Sequence, residues 1–485
     1  MPAANEPSGR PVRRKADRQL LGRPRLGTWD AVGQAMVVGP IVSAGLAAYL
    51  LAGAAGAIAP LILLLGFAGT LSFGWAISLY ARRYAGAGAT YEYLSKAVSK
   101  RLGIYSSSLL LFEAPFATTA GYVALGLLWQ GFLATHVGLD PGWWPGALAS
   151  GVLIFFLQYL GVRLAVRTQL LLTALSAVPL LVLVGAVIAS GGATGNTLGV
   201  FDARNAPDGG SLFRGVIFAL LMFAGYESAA TLGEETRLPH RSIPKAIFLT
   251  IGLVGTFYLL VVYAATIGLG PEAVRVGWGE NPLALSLLAD RYVGKPMGAV
   301  IELAVILDLI AVMTAFGNGL SRRYFALARD RLLPRLFARV SRYETPVGAL
   351  AAILTYAVIG LLAASFFTDK FEMFELLTIG VTLVGMSVSL MLSVGAFRFL
   401  REEPRSLWRP VVLLAAAGVP VLGLYGTLVP FPAGPARIGL GIAVAIAVLA
   451  LVWLLYLQQR RPEAVASAAD YALRPDESAT EAERF

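Results

Sequence analysis

Cysteine is absent from the 485 residues, so the chain carries neither a disulfide nor a thiolate metal site. Histidine occurs only as His136 and His240. Charge is also scarce: Asp, Glu, Lys and Arg make up 14% of the chain, 57% is hydrophobic, and mean hydropathy is +0.70. That composition is far too apolar for a water-soluble domain and belongs to a polytopic membrane protein, with the lipid bilayer as part of its solvent. Missing too is the short apolar core with a small-residue cleavage site that marks a signal peptide. The first stretch is instead polar and basic, with Arg10, Arg13, Arg14, Lys15, Arg18, Arg23 and Arg25, and reads as an uncleaved cytoplasmic tail. The net charge of +10 does not point to a nucleic-acid partner, because the positive charges follow the sidedness of the loops.

Twelve apolar runs are long enough to span a bilayer. They cover roughly residues 29–51, 56–80, 104–134, 143–161, 167–190, 211–233, 243–269, 296–320, 346–366, 371–396, 408–430 and 435–458. Most are rich in Gly and Ala, which lets transmembrane helices pack closely. Trp143, Trp144, Trp408 and Trp453 sit near run ends, as interfacial aromatics do. With the N-terminus inside, 32 of the 39 Lys and Arg fall on cytoplasmic segments. The outside keeps Arg204, Arg214, Arg275, Arg291, Lys295, Lys370 and Arg437. This split predicts that both termini are cytoplasmic in a multi-pass protein of the cell membrane. Two loops have helical spacing, at 91–101 and 281–292, and the Ala-, Glu- and Asp-rich tail after Arg461 reads as disordered.

Two runs are interrupted. In the first, Gly39-Pro40 falls near the middle, where proline removes a backbone donor and clashes with the preceding turn. In the sixth, Gly225 follows Phe223 and Ala224 where the helix should continue, and Glu227 comes two residues later. Five spans separate the starts of the two runs. An odd number makes the second half enter from the opposite side, so the repeat is inverted. Opened turns at that depth must line a polar cavity, since hydrocarbon cannot satisfy their backbone groups. A half-helix beginning near Ser43 aims N–H groups at the membrane centre and suits a carboxylate. One ending near Phe223 and Ala224 leaves carbonyls that suit an ammonium. An anionic and a cationic end describe an α-amino acid. The expected substrate-binding residues are Val38, Gly39, Pro40, Ile41, Val42, Ser43 and Ala44 at the first break, and Phe223, Ala224, Gly225, Tyr226 and Glu227 at the second.

The stretch from Phe223 to Glu227, then Gly233-Glu234-Glu235-Thr236 and the run from Pro239 to Ile247, resembles the sixth-helix signature of the amino acid–polyamine–organocation superfamily. Ala326-Leu327-Ala328-Arg329-Asp330, with Leu333-Pro334 and Pro346 beyond, resembles that family's eighth-helix exit. Gly161-Val162-Arg163 resembles its loop between helices four and five. The resemblance covers roughly residues 27–400. It implies an all-α leucine-transporter fold, a 5+5 inverted repeat plus two extra helices. On this chain that gives a basic tail at 1–27, repeats at 28–190 and 211–396, two further spans within 408–458, and a second cytoplasmic tail at 459–485. Some proton-coupled members carry a lysine in helix five. Ser176 stands about where it is expected here, which leaves proton coupling to another group.

Four acids lie inside spans: Glu113, Glu227, Glu302 and Asp308. An ionisable residue at membrane depth is a functional candidate by default. Glu227, at a break, is either a proton carrier or a structural acid hydrogen-bonded to the opened backbone. Asp308, near the centre of span eight, and Glu113 are the other coupling candidates. Glu113 lines the pathway or pairs with a basic group on another helix. Glu302 lies near the outer surface. The arginines at 322–342 read as an orientation signal. Neither a metal nor a cofactor is expected. The resulting reading is a transporter and not an enzyme: a secondary active permease for an amino acid or related amine, with a proton as the coupling ion. An exchanger, or a nutrient sensor or channel on a transporter scaffold, is the alternative.

Overall fold

The computed structural model describes residues 21–472 except 23, 207–210, 282, 402–407, 430 and 432–433. The basic residues at 10–18, Arg23 and the chain after 472 lie outside the described residues. Among the described residues no strand forms, and isolated bridges join Leu26 with Thr236 and Val340 with Pro346.

The first half contains α1 (Thr28–Ala35), α2 (Ala48–Ala55), α3 (Ala59–Ala81), α4 (Thr90–Ala97), α5 (Lys100–Phe132), α6 (Trp144–Tyr159) and α7 (Val162–Ser190). The second contains α8 (Ser211–Leu221), α9 (Pro239–Leu269), α10 (Ala284–Tyr292), α11 (Met297–Arg329), α12 (Val347–Ser365) and α13 (Lys370–Ala396). Then follow α14 (Trp408–Leu428), α15 (Pro435–Arg460) and the short α16 (Pro462–Ala466). The two loop helices expected from spacing are α4 and α10.

Ten segments among the described residues are long and apolar enough to cross a membrane. The runs at 29–51 and 56–80 fall in one of them, Thr28–Ala81, and the run at 143–161 is α6, only 16 residues long. Why this bundle belongs in lipid is visible on α7. Gln169, Thr173 and Ser176 are buried against the protein, while Leu171, Leu175, Val178 and Val182 are exposed. A helix in water has these faces reversed. With polar groups inside and aliphatic ones outside, the outer face is matched by hydrocarbon. On α14, Val411, Leu414, Val421 and Tyr425 repeat the pattern at helical spacing.

The centre of the bundle is α11. It packs along α7 and α5 and is buried on most of its circumference, Asp308 and Asn318 included. The chain after Arg461 departs from the disordered tail expected. Residues 462–472 return to the bundle, where Ala468 and Ala469 are fully buried and the Ala469 N–H donates to Asp330 Oδ2 at 2.7 Å. Two alanines are small enough to enter beneath Tyr91 and Asp330, a fit that composition alone does not reveal.

Candidate functional site at two broken helices

The first break opens where the sequence places it. After α1 the chain makes one tight turn, Met36–Val38, and Gly39 adopts φ 57°, ψ 70°. Left-handed backbone is accessible to glycine at little cost. Pro40 then starts a new turn, where its missing N–H costs nothing. The next two N–H groups have no helical acceptor, and one side chain takes both. Asp308 Oδ2 accepts from Ile41 at 2.9 Å and from Val42 at 3.0 Å, while Oδ1 accepts from the Thr173 hydroxyl at 3.0 Å. Asp308 is fully buried. Ser43 donates its hydroxyl to the Val38 carbonyl at 3.0 Å.

The second break follows α8. Residues 222–225 unwind, Gly225 takes φ 111°, and a tighter 3-10 helix, Tyr226–Leu232, continues. Glu227 turns back so that Oε2 accepts the Gly225 N–H at 3.2 Å. Tyr258 donates to the Met222 carbonyl at 2.9 Å and Ser228 to the Gln34 carbonyl at 2.8 Å. The breaks touch: a Cβ on Gly225 would lie 2.8 Å from Val37 Cγ1 and 3.2 Å from the Val38 nitrogen.

A cavity of about 310 Å³ lies beside the second break. All five residues at 223–227 line it, and Glu113 from α5 faces it. From the first break only Val37 reaches it. Val38, Gly39, Pro40, Ile41 and Ala44 are buried in packing, and Val42 and Ser43 are half-buried. A Cβ on Gly39 would meet Val312 at 2.7 Å, inside the body of the bundle. Asp308 therefore belongs to the first break, and Glu227 and Glu113 to the cavity. Glu302 stands apart, paired with His136 at 2.9 Å.

Sequence reasoning missed Arg323. It belonged to a stretch read as an orientation signal, yet it lines the cavity. The available signal was helical phase: Ala315, Gly319 and Arg323 recur every four residues on α11, and all three line the cavity. Gln34 was missed as well. Fully buried, it donates to the Ala315 carbonyl at 2.8 Å and joins α1 to α11.

The two quoted family motifs meet at the basic end of the bundle. Arg322 forms a forked pair with Glu235, at 2.6 and 3.0 Å. Arg329 pairs with Glu234 at 2.8 Å and with Glu92 at 3.4 Å. Tyr91 donates to Asp330. Glu234 also accepts the N–H groups of Leu21 and Ala87, both at 3.1 Å. Burial, and then the charge of Glu234, push the Glu92 carboxyl up to about 8, with Arg329 opposing. Burial also raises Asp330, again against Arg329. Among the described residues no group of three or more His, Asp or Glu converges to hold a metal ion.

A family model described as amino acid permease matches residues 26–458. An uncharacterized transporter of Mycobacterium tuberculosis (strain ATCC 25618 / H37Rv) is 30% identical over 435 residues, covering 87% of this chain and 90% of the relative. The lysine-specific permease LysP of Escherichia coli (strain K12) is 28% identical over 275 residues, 54% of this chain and 55% of the relative.

Proposed function

This chain belongs to the amino acid permease family of the amino acid–polyamine–organocation superfamily, and from that premise we propose how it works. It moves an amino acid or related amine across the cell membrane as a secondary active transporter, by alternating access and coupled to protons. Its twelve spans form two inverted five-helix repeats, at 28–190 and 211–396, followed by two helices within 408–458. Both termini are cytoplasmic, in keeping with the 32-to-7 split of basic residues.

The observation that carries this reading is the cavity beside the second break, where opened backbone and two carboxylates face one space. Residues 223–227 touch the substrate there. Residues 38–44 act through the Asp308 clamp and approach the site as the broken helices move against α5 and α11. Glu227 carries the proton, with Glu113 and Asp308 as the other acids of the pathway. The relative named as a lysine-specific permease supports an amino acid as cargo.

Reconstitution into liposomes tests the proposal. Labelled amino acids should accumulate saturably against their gradient when the inside is made alkaline. Uptake that only equilibrates would mark a channel, and binding without uptake a sensor.

A further inference from the structure

Among the described residues three charged side chains face the cavity: Glu113 from α5, Glu227 after the second break and Arg323 from α11. Among the described residues no ion pair joins any of them to another group. Each carboxylate nevertheless lies within electrostatic reach of the arginine. The neighbouring arginine differs. Arg322 is saturated by Glu235 and by the Asn318 carbonyl, whereas Arg323 Nε is buried with no hydrogen-bond partner.

The N–H groups at the start of the first half-helix are not free to take a ligand. Ile41 and Val42 already donate to Asp308, and residues 38–44 do not reach the cavity. The chain's own carboxylate thus fills the place where backbone alone predicts a substrate carboxylate. Among the described residues, Arg323 is the one arginine or lysine that lines the cavity. A guanidinium N–H buried without an acceptor is costly, and a carboxylate is the acceptor that fits its planar fork. Glu113, with no hydrogen bond inside the protein among the described residues, offers a matching acceptor for an ammonium. Glu227 differs, because the Gly225 N–H already occupies one of its oxygens.

We infer that Arg323 receives the substrate's carboxylate and Glu113 its ammonium, so that the site takes amino acids with both ends charged and rejects amines that lack the carboxylate. The inference rests on the transport reading and narrows its cargo. The volume, about 310 Å³, stands at the low end of ligand pockets and suits so small a molecule. Phe73, Phe223 and Met386 supply an apolar wall for the side chain.

The test is a thermal-shift titration of the purified full chain with matched probes. Each amino acid is run beside its decarboxylated amine and its methyl ester, for example lysine with cadaverine and lysine methyl ester, and leucine with isoamylamine and leucine methyl ester. At least one amino acid should raise the melting temperature while its amine and ester do not. Arg323→Gln should weaken that amino acid about tenfold or more, the worth of one charge-assisted hydrogen bond. Arg323→Lys should recover part of the loss. An amine or ester that binds the unmodified chain as tightly as its amino acid overturns the inference without any variant, and leaves transport standing. An unchanged affinity in Arg323→Gln does the same. If no amino acid, ester or amine binds, the transport reading falls and the inference with it.

Discussion

Asp308 and Ile41 are joined across the bundle: Asp308 Oδ2, on α11, accepts the Ile41 N–H at 2.9 Å, and the same oxygen accepts from Val42 at 3.0 Å. One buried carboxylate therefore ends the orphan state of two donors that Gly39-Pro40 creates. Asp308→Ala leaves both without an acceptor, at about 1–3 kcal/mol each. Asp308→Asn should be milder, because an amide oxygen still accepts while its NH2 turns to the Thr173 hydroxyl. Thermal unfolding of the purified variants should rank them wild type, Asn, Ala in falling stability. An Ala variant as stable as wild type would mean that the clamp does not hold the break.

Arg322 and Glu235 form a forked pair with both side chains almost fully buried. Removing one partner strands a charge in the interior. Arg322→Ala should therefore cost about 3–5 kcal/mol of stability. Arg323→Ala, one residue on, removes a group with an unpaired buried Nε and should cost far less. Comparing the two variants by thermal unfolding separates a structural arginine from one that faces a ligand.

That contrast marks how far the sequence could be read. Gly39-Pro40 and Gly225 announce themselves because proline and glycine act on the backbone at their own positions. Glu234 and Arg329 were legible as motif members, but not as partners 95 residues apart. Arg322 and Arg323 are identical in composition and adjacent in sequence. What separates them is the rotation of α11 about its axis, set by packing against α5 and α7, which no local pattern records. The same holds for residues 38–44. Their placement away from the cavity follows from Asp308, a residue 266 positions from Val42. Ala468 and Ala469 looked like part of a solvated tail because their burial depends wholly on the surface they meet.

Glu92 gives the fold a pH dependence. Its carboxyl is fully buried among Glu234, Arg329, Asp330 and the Gly88 backbone, and burial raises it from 4.5 to about 8. Between those values the folded chain keeps a proton that the unfolded chain has released. The unfolded state then binds fewer protons, so stability falls as pH rises from about 4.5 through about 8 and levels off above. Glu92→Gln keeps an oxygen for Arg329 and has no proton to lose. Its melting temperature should gain on wild type steadily between pH 6 and 8. Parallel curves for the two proteins would remove Glu92 as the titrating group.

Glu227 bears on energy coupling. It stands beside the cavity, two residues past Gly225, and its Oε2 accepts the Gly225 N–H at 3.2 Å. Span five has Ser176, not a lysine, where some proton-driven relatives are expected to carry one, so the proton needs another carrier. Under the proposal, Glu227 binds it while the cavity is closed and releases it when water enters. Glu227→Gln mimics the protonated form and cannot release a proton. Its carbonyl oxygen still accepts from Gly225, so the break should keep its shape. The variant should bind substrate and run counterflow exchange at near the wild-type rate. It should lose accumulation driven by an imposed pH gradient, because each cycle then moves substrate without a proton. The pair of assays in liposomes decides the matter. Loss of both activities would make Glu227 a structural or substrate-contacting acid. Retention of gradient-driven accumulation would pass the role to Asp308, where the Asn variant, already predicted to fold, is the next to assay.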